Sequence, residues 1–239
     1  MAEPTGITAL QRAAAWGVHL YTAGGAVLAF MATLAVFQGA YRAAFLWLIG
    51  AAFIDATDGL LARTARVKDR TPRFDGARLD DIVDYLTYVF VPVLLLHHAG
   101  TLPPGWGAAV AGLVLLSSAY GFASADAKAG DHFFTGFPSY WNVVAVYLLA
   151  TRLPPALNAA ILGILSVLVF VRIGYVYPSR TPALRGLTVA LGGIWAGMIV
   201  AIVLALPDVP SALVIASLFF PVYYFVLSLV LHRRRSGLS

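Results

Sequence analysis

Residues 55–84 read DATDGLLARTARVKDRTPRFDGARLDDIVD, a stretch with seven of the chain's eleven acidic residues and six of its sixteen basic ones. Apolar runs long enough to cross a bilayer flank it on both sides. Helical positions three and four apart share a face. Asp55 and Asp58 are therefore expected to point one way near the end of one run, and Asp80 and Asp84 near the start of the next. If the two helices are neighbours, four carboxylates converge. Charges so placed repel one another and suffer desolvation, and a divalent cation relieves both. An all-oxygen donor set suits Mg²⁺ or Mn²⁺, which complete their shells with substrate phosphate. Such an ion polarises a phosphoryl oxygen, so the chemistry suggested is phosphoryl transfer. Asp69 and Asp75 lie in the basic loop, and Asp81 is rotated about 100° from Asp80. These three are expected to cap helices or pair locally.

Outward from this stretch, the composition fixes the class. Of 239 residues, 60% are hydrophobic and 11% charged, against roughly a quarter charged in a soluble domain. The sequence predicts an all-α integral membrane protein with one domain, residues 1–239. About eight spans are expected, near 14–38, 42–63, 80–99, 106–124, 139–151, 156–177, 184–206 and 212–231. Pro92 and Pro221 fall inside apolar runs and predict kinks. With both termini on the cytoplasmic side, only Arg42 and Arg152 of the sixteen Lys and Arg residues face outward, the arrangement that the positive-inside rule favours. The 55–84 loop then lies at the cytoplasmic face, toward anionic lipid. Basic residues set between apolar segments give no folded polar surface for nucleic acid. The absence of cysteine excludes disulfides, thiolate metal sites and a cysteine nucleophile. MAEPTGITALQR, residues 1–12, lacks the basic start and cleavage site of a signal peptide, so the N-terminus is expected to be retained.

Small and basic residues add a second layer. Gly59 follows Asp58, Ala62 lies on the same side and Gly76 precedes the next helix, leaving room for a base or phosphate near the backbone. Glycine also packs membrane helices together. Arg63 is placed to neutralise a diphosphate. His19 is expected to make a structural hydrogen bond.

The pattern Asp55-x2-Asp58-Gly59-x2-Ala62-Arg63-x12-Gly76-x3-Asp80-x3-Asp84 resembles the signature of the CDP-alcohol phosphotransferases. These membrane enzymes move a phosphoryl-containing group from a CDP-linked donor to an alcohol. The twelve-residue interval, with VHLYTAGG (residues 18–25) and DHFFTGFPSYWN (residues 131–142), is similar to the bacterial branch that joins CDP-diacylglycerol to choline. The resemblance implies that Asp55, Asp58 and Asp80 ligate the metal, usually two Mn²⁺ or Mg²⁺ ions, and that Asp84 is the general base and a possible ligand. It also implies that Asp58, Gly59, Ala62, Arg63 and Gly76 line the CDP pocket. A homodimer in the bacterial inner membrane, its active site facing the cytoplasm, is implied as well. Choline is a fixed cation that suits an aromatic cage with a carboxylate nearby, for which Tyr85, Tyr140, Trp141 and Asp131 are the candidates. Serine, glycerol 3-phosphate or inositol phosphate is the alternative acceptor; the phosphorylated ones should demand clustered basic residues, for which Arg172, Arg180 and Arg185 are the candidates. A cation transporter is the alternative from another class, but it would spread acids near the midplane of several helices.

Overall fold

The computed structural model describes residues 7–124, 128–129, 133–176, 181 and 184–236. The chain forms two compact units, residues 1–91 and 92–239.

The first unit is built on α1 (Ala9–Phe37) and α2 (Tyr41–Thr64), which pack against each other. α1 starts at a capping box, in which Gln11 N–H donates to Thr8 Oγ1 and Thr8 N–H donates to Gln11 Oε1. Its buried residues Ala15, His19, Thr22, Gly25, Ala29, Ala32 and Val36 recur every three or four positions and form one inward stripe. Most are small, which lets helix backbones approach closely in an apolar surround. Gly25 is the tightest case, since a Cβ there would meet Val83 Cγ1 at 2.6 Å. Elsewhere on α1, Leu20, Val27 and Phe30 are at least 60% exposed, a burden in water but ordinary solvation in lipid.

After α2 come a single turn, α3 (Val67–Arg70), and then α4 (Gly76–Asp84), which packs on α1. Asp75 caps α4 by accepting the Arg78 N–H at 3.1 Å, the local role expected of it. Around Pro92, where the sequence predicts a kink, the helix widens into a π turn, Tyr85–Phe90. Proline has no N–H for the carbonyl four residues back, and a five-residue ladder, with Val91 N–H donating to Leu86 O, absorbs the mismatch.

α5 (Val91–His98) leads into the second unit, which holds α6 (Gly107–Ala123), α7 (Trp141–Thr151), α8 (Pro155–Phe170), α9 (Arg185–Ala205), α10 (Ser211–Ser217) and α11 (Phe219–Ser236). The kink predicted at Pro221 takes the form of a break at Leu218, because Pro221 cannot donate to the Ser217 carbonyl. A three-stranded antiparallel sheet, β1 (Lys128–Ala129), β2 (Phe133–Thr135) and β3 (Gly174–Val176), in that order, adds to the all-helical expectation. Residues 156–177 do not form one helix as expected; α8 ends at Phe170 and Val171 is already extended, with ψ 119°. Gly174, Tyr175 and Val176 are weaker helix formers than the Leu-rich run before them. Their extended backbone finds partners, as Val176 N–H donates to Ser228 Oγ at 3.0 Å and Gly174 N–H to His232 Nδ1 at 3.2 Å. Gly136, after β2, has φ +81°, and a Cβ there would strike the Val169 carbonyl oxygen, so only glycine fits. Phe133, Tyr175, Val176 and Tyr224 form the local core.

All eight expected apolar segments are helical over most of their length. Ala9–Phe37, Tyr41–Thr64, Arg185–Ala205 and Ser211–Arg234 are long and apolar enough to cross a membrane, and α6, α7 and α8 are shorter apolar helices. An all-α membrane protein fits this architecture.

Candidate active site

In the first unit, α2 and α4 bring Asp55, Asp80 and Asp84 together. One carboxylate oxygen from each lies within 4.8 Å of the others, and all three side chains are half-buried. Asp80 and Asp84 are one turn apart on α4 and so project side by side. Tyr88, a further turn along, donates its hydroxyl to Asp55 Oδ2 at 2.7 Å, which ties the π turn to α2.

Asp58 is not one of these three. It is 7% exposed and accepts the Thr22 hydroxyl at 2.8 Å through Oδ2, so α1 fixes its orientation. One residue earlier on each helix, the Tyr21 and Thr57 hydroxyls lie 2.8 Å apart. Thr57 already donates to the Phe53 carbonyl, so Tyr21 is the donor. Gly59 and Ala62 are half-buried and Arg63 is exposed. A Cβ on Gly59 would stand 3.4 Å from Arg63 Nη1, so the guanidinium lies over the backbone one turn before it.

Gly76 has a steric reason of its own, since a Cβ there would meet His19 Cε1 at 2.8 Å. His19 makes the structural hydrogen bond expected of it, with Nε2 2.9 Å from Thr71 Oγ1. Tyr85 follows Asp84 at the start of the π turn and is half-buried. In the second unit, Trp141 is fully buried, its indole N–H donates to Ser118 Oγ at 2.6 Å, and Phe137 meets its ring at 5.1 Å. Tyr140 is half-buried, edge to face with Tyr224 at 6.4 Å. Asp131 lies outside the described residues.

Two partners of the aspartates escaped the sequence reading. Tyr88 continues the 80–84–88 spacing and could have been found from it. Thr22 is a polar residue inside an apolar helix, a type that faces the protein interior rather than lipid.

The donor set fits a hard divalent cation. Oxygens on one Mg²⁺ stand about 3 to 4 Å apart, so side-chain adjustments of under an ångström would bring the three carboxylates onto one ion. Among the described residues this is the one cluster of at least three potential metal ligands.

Apolar helices that carry this aspartate cluster fit a membrane-embedded phosphotransferase of the CDP-alcohol class. No family model matches the chain. It is 39% identical to a phosphatidylcholine synthase of Pseudomonas aeruginosa over 79% of both chains. It is also 32% identical to one of Rhizobium johnstonii over 91% of this chain and 90% of the relative. With one of Legionella bozemanae, identity reaches 47% over 61% of this chain and 67% of the relative. The chain belongs to the phosphatidylcholine synthase family.

Proposed function

We propose that this protein transfers the phosphatidyl group from CDP-diacylglycerol to choline and releases CMP. One observation carries the reading: a chain of this family holds oxygens of Asp55, Asp80 and Asp84 within 4.8 Å of one another. Asp55, Asp58, Asp80 and Asp84 hold one or two divalent cations, Mn²⁺ or Mg²⁺. A cation bound there offsets charge on the phosphoryl oxygens and on the departing CMP. Asp84 takes the proton of the choline hydroxyl while that oxygen bonds to the phosphorus bearing diacylglycerol. The bond from this phosphorus to the CMP oxygen breaks, and CMP leaves with the electron pair. Asp58, Gly59, Ala62, Arg63 and Gly76 line the pocket for the CDP group, with Arg63 countering its charge.

Choline lacks an N–H donor, so its recognition rests on aromatic faces and a countercharge. In the second unit Tyr140 and Asp131 are proposed for these roles; Trp141, expected there too, is fully buried and donates its indole N–H to Ser118 Oγ, so its ring is not open to choline. An assay of CMP release from CDP-diacylglycerol across a panel of alcohols tests the reading. Choline should support turnover, whereas serine, glycerol 3-phosphate and inositol phosphate should not. The opposite pattern would overturn the acceptor assignment and leave the reaction class standing.

Thr22 bears on the same reaction through Asp58. Thr22→Val keeps the shape and loses the 2.8 Å hydrogen bond, and partners behind a ligating group typically matter 10- to 100-fold. CMP release should fall about tenfold, with Thr22→Ser close to wild type; an unchanged rate in the Val variant would show that Asp58 needs no help from α1.

The single catalytic domain, residues 1–239, is proposed to cross the bacterial inner membrane eight times, with both termini and the active site cytoplasmic. The distribution of Lys and Arg supports this orientation. Because the chain has no cysteine, one introduced at Arg66 or Arg152 is the sole thiol. Impermeant maleimide added to intact spheroplasts should label position 152 and spare 66; labelling of 66 would invert the topology. The homodimer implied by the family resemblance would appear as twice the protomer mass by light scattering in detergent.

A further inference from the structure

We infer that His19 is a positioning residue for the aspartate cluster: its imidazole fastens the segment between Arg63 and Gly76, and so sets where α4 presents Asp80 and Asp84. The inference rests on reading the aspartates as a cation-holding site. Of residues 64–75, only Val67 and Thr71 are buried. The segment also holds Arg66 at φ 44°, a left-handed backbone that non-glycine residues rarely adopt. Its conformation therefore depends on a few inward contacts, two of which, to Thr71 and Phe74, are made by His19.

The hydrogen bonds fix the direction of the link. Thr71 Oγ1 donates its one proton to the Val67 carbonyl at 2.9 Å, so it accepts from His19 Nε2–H. The imidazole ring packs on Phe74 at 4.3 Å between centroids, and Trp16 closes the group at 5.5 Å from His19 and 5.1 Å from Phe74. The other edge of the ring, Nδ1 and Cε1, faces Gly76, where a Cβ would come within 3.2 and 2.8 Å of those atoms. The first residue of α4 thus rests on the ring, four positions before Asp80. A short helix shifts as a rod, so displacement at residue 76 carries Asp80 and Asp84 away from Asp55.

Four variants separate the ring from the hydrogen bond. His19→Phe keeps a ring but cannot donate, and His19→Gln can donate but has no ring. Thr71→Val removes the acceptor, and Thr71→Ser retains it. On detergent-purified full-length protein, Mn²⁺ binding is read from the paramagnetic resonance signal of the free ion, and loop order from tryptic cleavage between residues 63 and 78. His19→Phe and Thr71→Val should bind Mn²⁺ about tenfold more weakly, at the low end for groups behind metal ligands, and be cut faster, while Thr71→Ser stays near wild type. His19→Gln should fall between them and covers the case in which His19→Phe fails to fold. Wild-type Mn²⁺ affinity in His19→Phe and Thr71→Val overturns the proposal, with faster cleavage reducing His19 to a loop fastener. If the wild-type protein binds no Mn²⁺, the cation-site reading fails first and this one with it.

Discussion

Asp84→Asn is expected to lower CMP release by roughly 10²- to 10⁴-fold, the range for losing a general base, while CDP-diacylglycerol binding changes far less. The amide matches the carboxylate in shape and can still direct an oxygen toward Asp55 and Asp80, whose own oxygens lie within 4.8 Å, but it cannot take a proton from the alcohol. Measuring donor-lipid binding and turnover on the same preparation separates the two roles open to Asp84. Wild-type turnover in the variant would place the base elsewhere. Equal loss of binding and turnover, as expected for Asp55→Asn or Asp80→Asn, would restrict Asp84 to holding the cation.

The sequence made the aspartate pairs readable because three- and four-residue spacings are local. It did not show how helix rotation divides them. A four-residue step turns a helix by about 40° beyond a full turn, and a three-residue step leaves it about 60° short. Asp80 and Asp84 therefore stay together, whereas Asp55 joins the α4 pair and Asp58 turns to Thr22 on α1. The inward stripe of α1, from Ala15 through His19, Thr22 and Gly25 to Ala32, follows the same three- and four-residue spacing.

What escaped was non-local. Thr22 and Asp58 are 36 positions apart and Tyr88 and Asp55 are 33 apart, so their meeting depends on how whole helices pack. β3 pairs with β2 across some forty residues, and its Tyr175 and Val176 continue an apolar run that reads as helix. Gly76, expected beside the nucleotide, already has a partner in His19. A glycine in a motif can thus answer to packing and to ligand at once, and its spacing alone does not separate the two.

Removal of divalent cation is expected to abolish the reaction, at least about 100-fold, and added Mn²⁺ or Mg²⁺ to restore it. Electrostatics sets the scale: like charges 4.8 Å apart at an effective dielectric of about 20 repel by roughly 3 kcal/mol per pair. Three such pairs favour occupation by a cation over an empty cluster, and a substrate diphosphate adds charge of the same sign. CMP release would be followed in EDTA and then against rising Mn²⁺ and Mg²⁺. Asp55→Asn and Asp80→Asn should each raise the half-restoring concentration at least about tenfold, because each replaces a charged ligand with a neutral, weaker one. Tyr88→Phe should shift it less, since it frees the Asp55 carboxylate from a 2.7 Å hydrogen bond without removing it. Activity that persists in EDTA, with these variants unshifted, would mean that protein groups alone offset the repulsion. The aspartates would then be structural, and a phosphotransfer centre would have to be sought elsewhere in the chain.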